Sequence, residues 1–259
     1  MLMKPCPLPL LYTLVSSAQL IKRQWRKFLW LSWPHLVITQ LGGWLLSNPF
    51  FSEQMPLVFL TGIVMIGVTA WVTVRMHRAI LLDHSFEVKN PQPVSGLREL
   101  RVIGYWILLF SGLLVLIFLL IFSVMALFEL SFFGLVLLFL LLAVAVIWLF
   151  SRCLLVIPAV SIDDEPRGLS TAWRLSQPYQ ISLFLLVGVL PLGVGVVAYQ
   201  LAQWHQSVSL SLLVSLLGYA FWIYELCLLS LSYRWIKQRK QIDSMLDTSS
   251  NKPSLLIKE

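Results

Sequence analysis

The sequence predicts an all-α fold: a polytopic membrane bundle of about six transmembrane helices, with amphipathic interfacial helices on its cytoplasmic side. Three observations carry this. Of 259 residues, 58% are apolar and only 12% are charged, against about a quarter charged in a soluble domain. Mean hydropathy is +0.83, so the chain has no polar coat to present to water, whereas lipid requires none. Lys and Arg are also partitioned along the chain in the manner of a multi-pass protein.

A helix needs roughly 20 apolar residues to cross about 30 Å of hydrocarbon. Six windows meet that need. They are Phe28–Leu46, which holds Pro34 and Gly42–Gly43; Leu57–Val74; Val102–Leu127; Phe132–Phe150, with an apolar extension to Val160; Ile181–Leu201, interrupted by Pro191; and Val208–Leu231. Only Phe128–Ser131 separates the third from the fourth, which predicts a tight antiparallel hairpin. Ala202–Ser207 is a similarly short link between the fifth and sixth.

All 19 Lys and Arg fall in four segments. The N-terminal segment holds Lys4, Lys22, Arg23, Arg26 and Lys27. The link after the second span holds Arg75, Arg78, Lys89, Arg98 and Arg101. The link after the fourth holds Arg152, Arg167 and Arg174. The C-terminal tail holds Arg234, Lys237, Arg239, Lys240, Lys252 and Lys258. The three other links hold none. This partition supports six spans with both termini in the cytoplasm. It divides the chain into a cytoplasmic amphipathic segment (1–27), a transmembrane domain (28–236) and a cytoplasmic tail expected to be disordered (237–259). The net charge of +7 then follows from topology and from attraction to anionic lipid headgroups. Nucleic acid is not an expected partner, because no basic, aromatic-interleaved soluble domain exists.

Met1–Gln19 has the outline of a signal peptide, with Lys4, an apolar core over Pro7–Val15 and the small residues Ser16–Ser17–Ala18. Pro7 and Pro9 interrupt that short core, and the cations from Lys22 to Lys27 resist translocation. An uncleaved helix lying on the inner leaflet accounts better for the segment. Cys6, Cys153 and Cys227 are too dispersed for a metal pair or a disulfide framework.

Two cytoplasmic segments resemble each other. Trp71 and Arg75 are followed by Gly96-Leu97, Arg101 and Tyr105-Trp106. Trp148 and Arg152 are followed by Gly168-Leu169, Trp173-Arg174 and Tyr179. The stretch Ser17–Trp25 is a degenerate third copy in a threefold repeat of amphipathic helix plus transmembrane hairpin. In each Trp-x3-Arg pair the two residues share a helix face. They read as interfacial anchors, with Trp71, Trp148 and Trp173 at headgroup depth and the arginines reaching phosphate. The alternative is a cytoplasm-facing site for an anionic group. In the second copy, Asp163 or Asp164 is expected to cap a surface-lying helix, with Glu165 near its N-terminus and Pro166 in its first turn. Leu169, Ala172 and Trp173 form its apolar face.

The stretch Ser151–Val160 with its Leu-Val-Ile-Pro-Ala step, the acidic Asp163–Glu165, and the helix Gly168–Ser176 together resemble the signature of YciC-type bacterial inner-membrane proteins. These are related to the membrane domain beside some glycerophosphodiester phosphodiesterases. Ser170, Ala172 and Trp173 follow the family's pattern approximately, and Arg75–Leu82 resembles an upstream family segment. The specific match covers about a tenth of the chain. The resemblance implies a multispan helical protein of a bacterial inner membrane, and it brings no catalytic residues.

Chemistry is sparse. Of the histidines, His35 lies in the first span, His77 and His84 flank the inner end of the second, and His205 is external. No metal-ligand spacing emerges, and no metal or cofactor is expected. No Gly-x-Ser-x-Gly elbow, P-loop or dinucleotide fingerprint is present, so an enzyme is not expected. Glu225 lies in the sixth span, nine residues before Arg234 and about 13 Å deeper. A carboxylate at that depth is paired, protonated or beside a wet cavity. A polar cluster of Glu225, Arg152 and Arg75 at the inner end of the bundle is the candidate site. His35, Gln40 and Gln200 add polarity to the first and fifth spans, and Pro34, Gly42–Gly43 and Pro191 permit bends. The functional expectation is a non-enzymatic protein that organises lipid or protein partners. The alternative is a small permease or lipid transporter with a cytoplasm-open cavity near Glu225 and Arg152.

Overall fold

The computed structural model describes residues 8–82, 96–126, 132–165, 168–204 and 208–250. Every regular element among them is helical. They are α1 (Leu10–Ser47), α2 (Pro49–Ser52), α3 (Met55–Leu81), α4 (Leu97–Ala126), α5 (Phe132–Cys153), α6 (Val156–Ser161), α7 (Leu169–Ser176), α8 (Gln180–Leu183), α9 (Leu190–Trp204) and α10 (Val208–Ser250). A 3₁₀ turn (Gln177–Tyr179) joins α7 to α8, and a π-helical stretch (Phe184–Val189) joins α8 to α9. Five stretches are long and apolar enough to cross a membrane: Met55–Leu81, Leu97–Ser123, Val136–Ser161, Leu169–Leu201 and Leu212–Ile242. The chain is therefore an all-α, multi-pass membrane protein.

The expected first span, Phe28–Leu46, is helical within α1 but is not among the five. Trp30, Trp33, Pro34, His35, Gln40 and the two glycines dilute its apolarity. Its polar groups have partners across the bundle. Tyr219 donates to Ser32 Oγ at 2.5 Å, Gln40 donates to Ser215 Oγ, and Tyr224 donates to the Leu14 carbonyl. His35 stacks on Trp222 with ring centroids 3.9 Å apart. These links run in opposite chain order, so α1 and α10 pack antiparallel. Neither Pro34 nor Gly42–Gly43 breaks α1. Its one non-helical residue is Gln24 (φ −119°, ψ 23°), which falls within the cationic run Lys22–Lys27. Gly42 instead serves close approach to α3, because a Cβ there would lie 2.6 Å from Met65 Sδ.

Pro158 has no N–H to return to the Leu154 carbonyl, so the helix started by α5 breaks and restarts as α6. The Ile157 N–H takes that carbonyl instead. Every residue of α6 is buried. Pro191 acts similarly. It cannot donate to Val187, and the backbone widens into the π-helical stretch just before it. The buried residues concentrate on α3 from Ala70 to Ile80, on α6, and on α10 from Ile223 to Ile236. By contrast, Leu114, Phe118 and Phe122 of α4 and Phe139 and Leu141 of α5 are exposed. Large apolar side chains facing outward match a lipid solvent, where no burial drives them inward.

The acidic turn does not cap α7, as the sequence suggested. Gly168 occupies that N-cap with φ 141° and offers no side-chain bond. Asp163 instead pairs with Arg98 and Arg101 at the start of α4, and Asp164 with Lys237 and Tyr233 of α10. Two arginines, a lysine and a tyrosine that are distant in sequence made the stronger claim on these carboxylates. Asp163 adopts φ 55°, a left-handed conformation that Asp tolerates better than most residues. The expected amphipathic character of α7 holds, with Ala172 and Ser176 buried and Arg174 exposed. α10 continues through Ser250, so residues 237–250 of the expected tail are helical. Cys6, His84, Pro166, Arg167, His205 and the link 127–131 lie outside the described residues.

Candidate functional site

The three charged residues of the expected cluster occupy three separate settings. Arg152, at the end of α5, is 3% exposed. Its guanidinium lies 3.5 Å from the Trp173 ring centroid and 4.9 Å from that of Trp148. Its Nε donates to Ser176 Oγ at 3.0 Å and an NH₂ donates to the Trp173 carbonyl at 2.9 Å. The two tryptophans meet edge to face at 5.6 Å. Planar stacking and fixed donors suit arginine and not lysine. This arrangement locks α7 onto α5. Arg75 lies over its own Trp71, 4.1 Å from the ring centroid. Both Trp-x3-Arg pairs thus form the same i,i+4 stack.

No ion pair among the described residues joins Glu225 to Arg152 or Arg75. Glu225 lines a cavity of about 160 Å³ between α3, α4, α6, the π-helical stretch and α10. Thr73, His77, Trp106 and Trp222 share that lining, and aliphatic side chains such as Ile157 and Leu229 complete it. Thr73 and His77 are one helical turn apart on α3, so both face α10. Each is buried and carries a polar atom with no partner among the described residues, Thr73 Oγ1 and His77 Nε2.

The tautomer of His77 is coupled to the hydroxyl of Ser230. Ser230 Oγ donates its single hydrogen to the Leu226 carbonyl at 2.7 Å. With the hydrogen so placed, Ser230 accepts from His77 Nδ1–H across the 2.7 Å contact. Nε2 is then left as a bare acceptor. Sequence reading found Glu225 and its depth but missed Thr73 and His77. The spacing of Thr73 and His77 was visible; the helix they oppose was not.

A second, larger concavity of about 920 Å³ opens where α1 bends. Arg23, Gln24, Trp25, Arg26 and Lys27 line one side, the C-terminal turn of α3 from Ala79 to Leu82 another, and Arg234 of α10 the third. Arg234 donates to the Ile80 and Leu81 carbonyls at 2.5 and 3.0 Å. It thereby neutralises the helix end that would otherwise repel an anion. Arg26 stacks on Trp25 at 5.4 Å. Among the described residues, four cations and no carboxylate line the cleft. These contacts, with those of Asp163 and Asp164, gather cations of α1, α4 and α10 at one end of the bundle.

Fold and site together define a multi-pass α-helical membrane protein with a cationic cleft at one end and a small polar cavity inside. No family model, characterised protein or solved structure matches the chain. Among the described residues no group of three or more His, Cys, Asp or Glu is placed to hold a metal.

Proposed function

We propose that the chain is a six-span, non-enzymatic protein of a bacterial inner membrane, akin to the YciC-type proteins, that gathers anionic phospholipid headgroups at its cytoplasmic face. The cleft carries this reading. A phosphodiester accepts charge-assisted hydrogen bonds from Arg and Lys, and Trp25 and Leu20 suit the boundary between headgroup and acyl chain. The segregation of cations to one end supports placing both termini in the cytoplasm, with the second half of α1 as the sixth span. A membrane protein partner docked on the headgroup-decorated face is compatible with the same role.

Each cation near an anionic surface contributes about 1 kcal/mol. Replacing Arg23, Arg26 and Lys27 together by glutamine therefore weakens retention of phosphatidylglycerol or cardiolipin roughly a hundredfold. Native mass spectrometry from nanodiscs of mixed lipid reads this directly. Equal retention by wild type and the triple variant overturns the proposal. A second reading, a small permease, is favoured by the Glu225 cavity, and proteoliposome flux that depends on Glu225 tests it.

A further inference from the structure

The interior cavity has a chemistry of its own. Three of its lining side chains carry acceptors: the Glu225 carboxylate, His77 through Nε2, and Thr73 Oγ1. The last two are buried without a partner among the described residues, which is costly unless something else satisfies them. No Lys or Arg among the described residues lines the cavity. The nearest candidates by sequence reasoning, Arg152 and Arg75, are committed to their tryptophans. The rest of the wall is aliphatic or aromatic, from Leu154 and Ile157 to Trp106 and Trp222. A dry cavity of about 150 Å³ accommodates a molecule the size of benzene.

We propose that this cavity binds a small primary ammonium with a short alkyl chain. Such a cation offers three N–H donors to three acceptors. Its alkyl part meets the aliphatic wall, and the tryptophans supply polarisable faces for the charge. Water alone would satisfy the acceptors but would neutralise no charge and fill no apolar volume. The inference rests on the cavity alone. Binding without translocation leaves it intact while the permease reading fails, and loss of the lipid cleft touches neither.

The test uses the full chain in nanodiscs of phosphatidylcholine, a lipid without a primary amine, titrated with n-butylammonium at constant ionic strength. The expected result is a saturable rise in Tm, since a ligand that binds only the folded state stabilises it. Butanol at the same concentrations gives no saturable rise. Tetramethylammonium, which has no N–H, binds at least tenfold more weakly. Glu225→Gln weakens butylammonium by about tenfold to a hundredfold, the usual cost of a lost hydrogen bond to a charged group. Thr73→Val weakens it several-fold. Overturning results are no saturable response in wild type, an unchanged midpoint in Glu225→Gln, or equal binding of tetramethylammonium. Should Glu225→Gln fail to fold, the three-ligand comparison on wild type and the near-isosteric Thr73→Val decide alone.

Discussion

Replacing Arg152 by alanine lowers the stability of the folded chain by about 3 kcal/mol. The figure combines a stack on two tryptophans, worth about 1–2 kcal/mol when desolvated, with hydrogen bonds from a charged donor, worth about 1.5–3 kcal/mol. It also reflects the space left between Trp148 and Trp173, which touch the guanidinium from two sides. Two further substitutions separate these contributions. Arg152→Lys keeps the charge but loses the planar fork, and leaves a buried ammonium poorly satisfied; it is expected to be as damaging as alanine. Arg152→Met fills the slot without charge and is expected to be milder than either, because apolar replacement of a buried ion costs less than stranding one. Reversible unfolding in mixed micelles measures all three. A lysine variant as stable as wild type would mean that charge alone holds α7 to α5.

Gly188→Ala is the second large effect, a loss of about 1–3 kcal/mol from overpacking. A Cβ at Gly188 would lie 2.5 Å from Ile147 Cγ2 and 3.5 Å from the Ile147 carbonyl. Isoleucine is branched at Cβ, so that methyl group has little freedom to swing aside. Ile147→Leu removes the branch, and the double variant with Gly188→Ala should recover most of the loss. Gly42→Ala provides the contrast. Its obstacle is the thioether of Met65, a flexible side chain that can rotate away, so its cost stays below about 1 kcal/mol. Equal losses at the two glycines would show that the π-helical stretch yields as readily as a methionine.

Much of the fold was legible in the sequence because membrane helices are written in length and apolarity, and those properties are local. The helices from Met55 to Leu81 and from Leu97 to Ala126 follow directly from their windows. The Trp-x3-Arg stacks were legible for the same reason, since i and i+4 meet within one helix. The candidate site was less so. The separation between Glu225 and Arg234 gives depth along a helix but not the direction the side chain faces across the bundle. Pairing Glu225 with Arg152 or Arg75 matched charge with charge, yet His77 and Thr73 share its cavity. Asp163 and Asp164 misled in a related way. A carboxylate just before a helix suggests a cap, but the arginines of α4 and the lysine of α10 compete for it only after folding. α1 shows a third limit. Its span is recognisable by window, but Ser32, His35 and Gln40 belong to contacts with α10 that no window contains.

The 43 residues of α10 extend about 65 Å at 1.5 Å per residue, roughly twice the hydrocarbon thickness. One uninterrupted rod therefore passes from oil into water. Cys227, Leu228, Ser230 and Ser232 are wholly buried or nearly so, whereas Gln241 and Ile242 are exposed. Tyr233 and Lys237 hold Asp164, and beyond them exposure rises toward Met245. Amide deuterium uptake along this single helix should thus form a gradient, slowest around Cys227 and fastest near Met245, with the steep part beginning where the Asp164 contacts end.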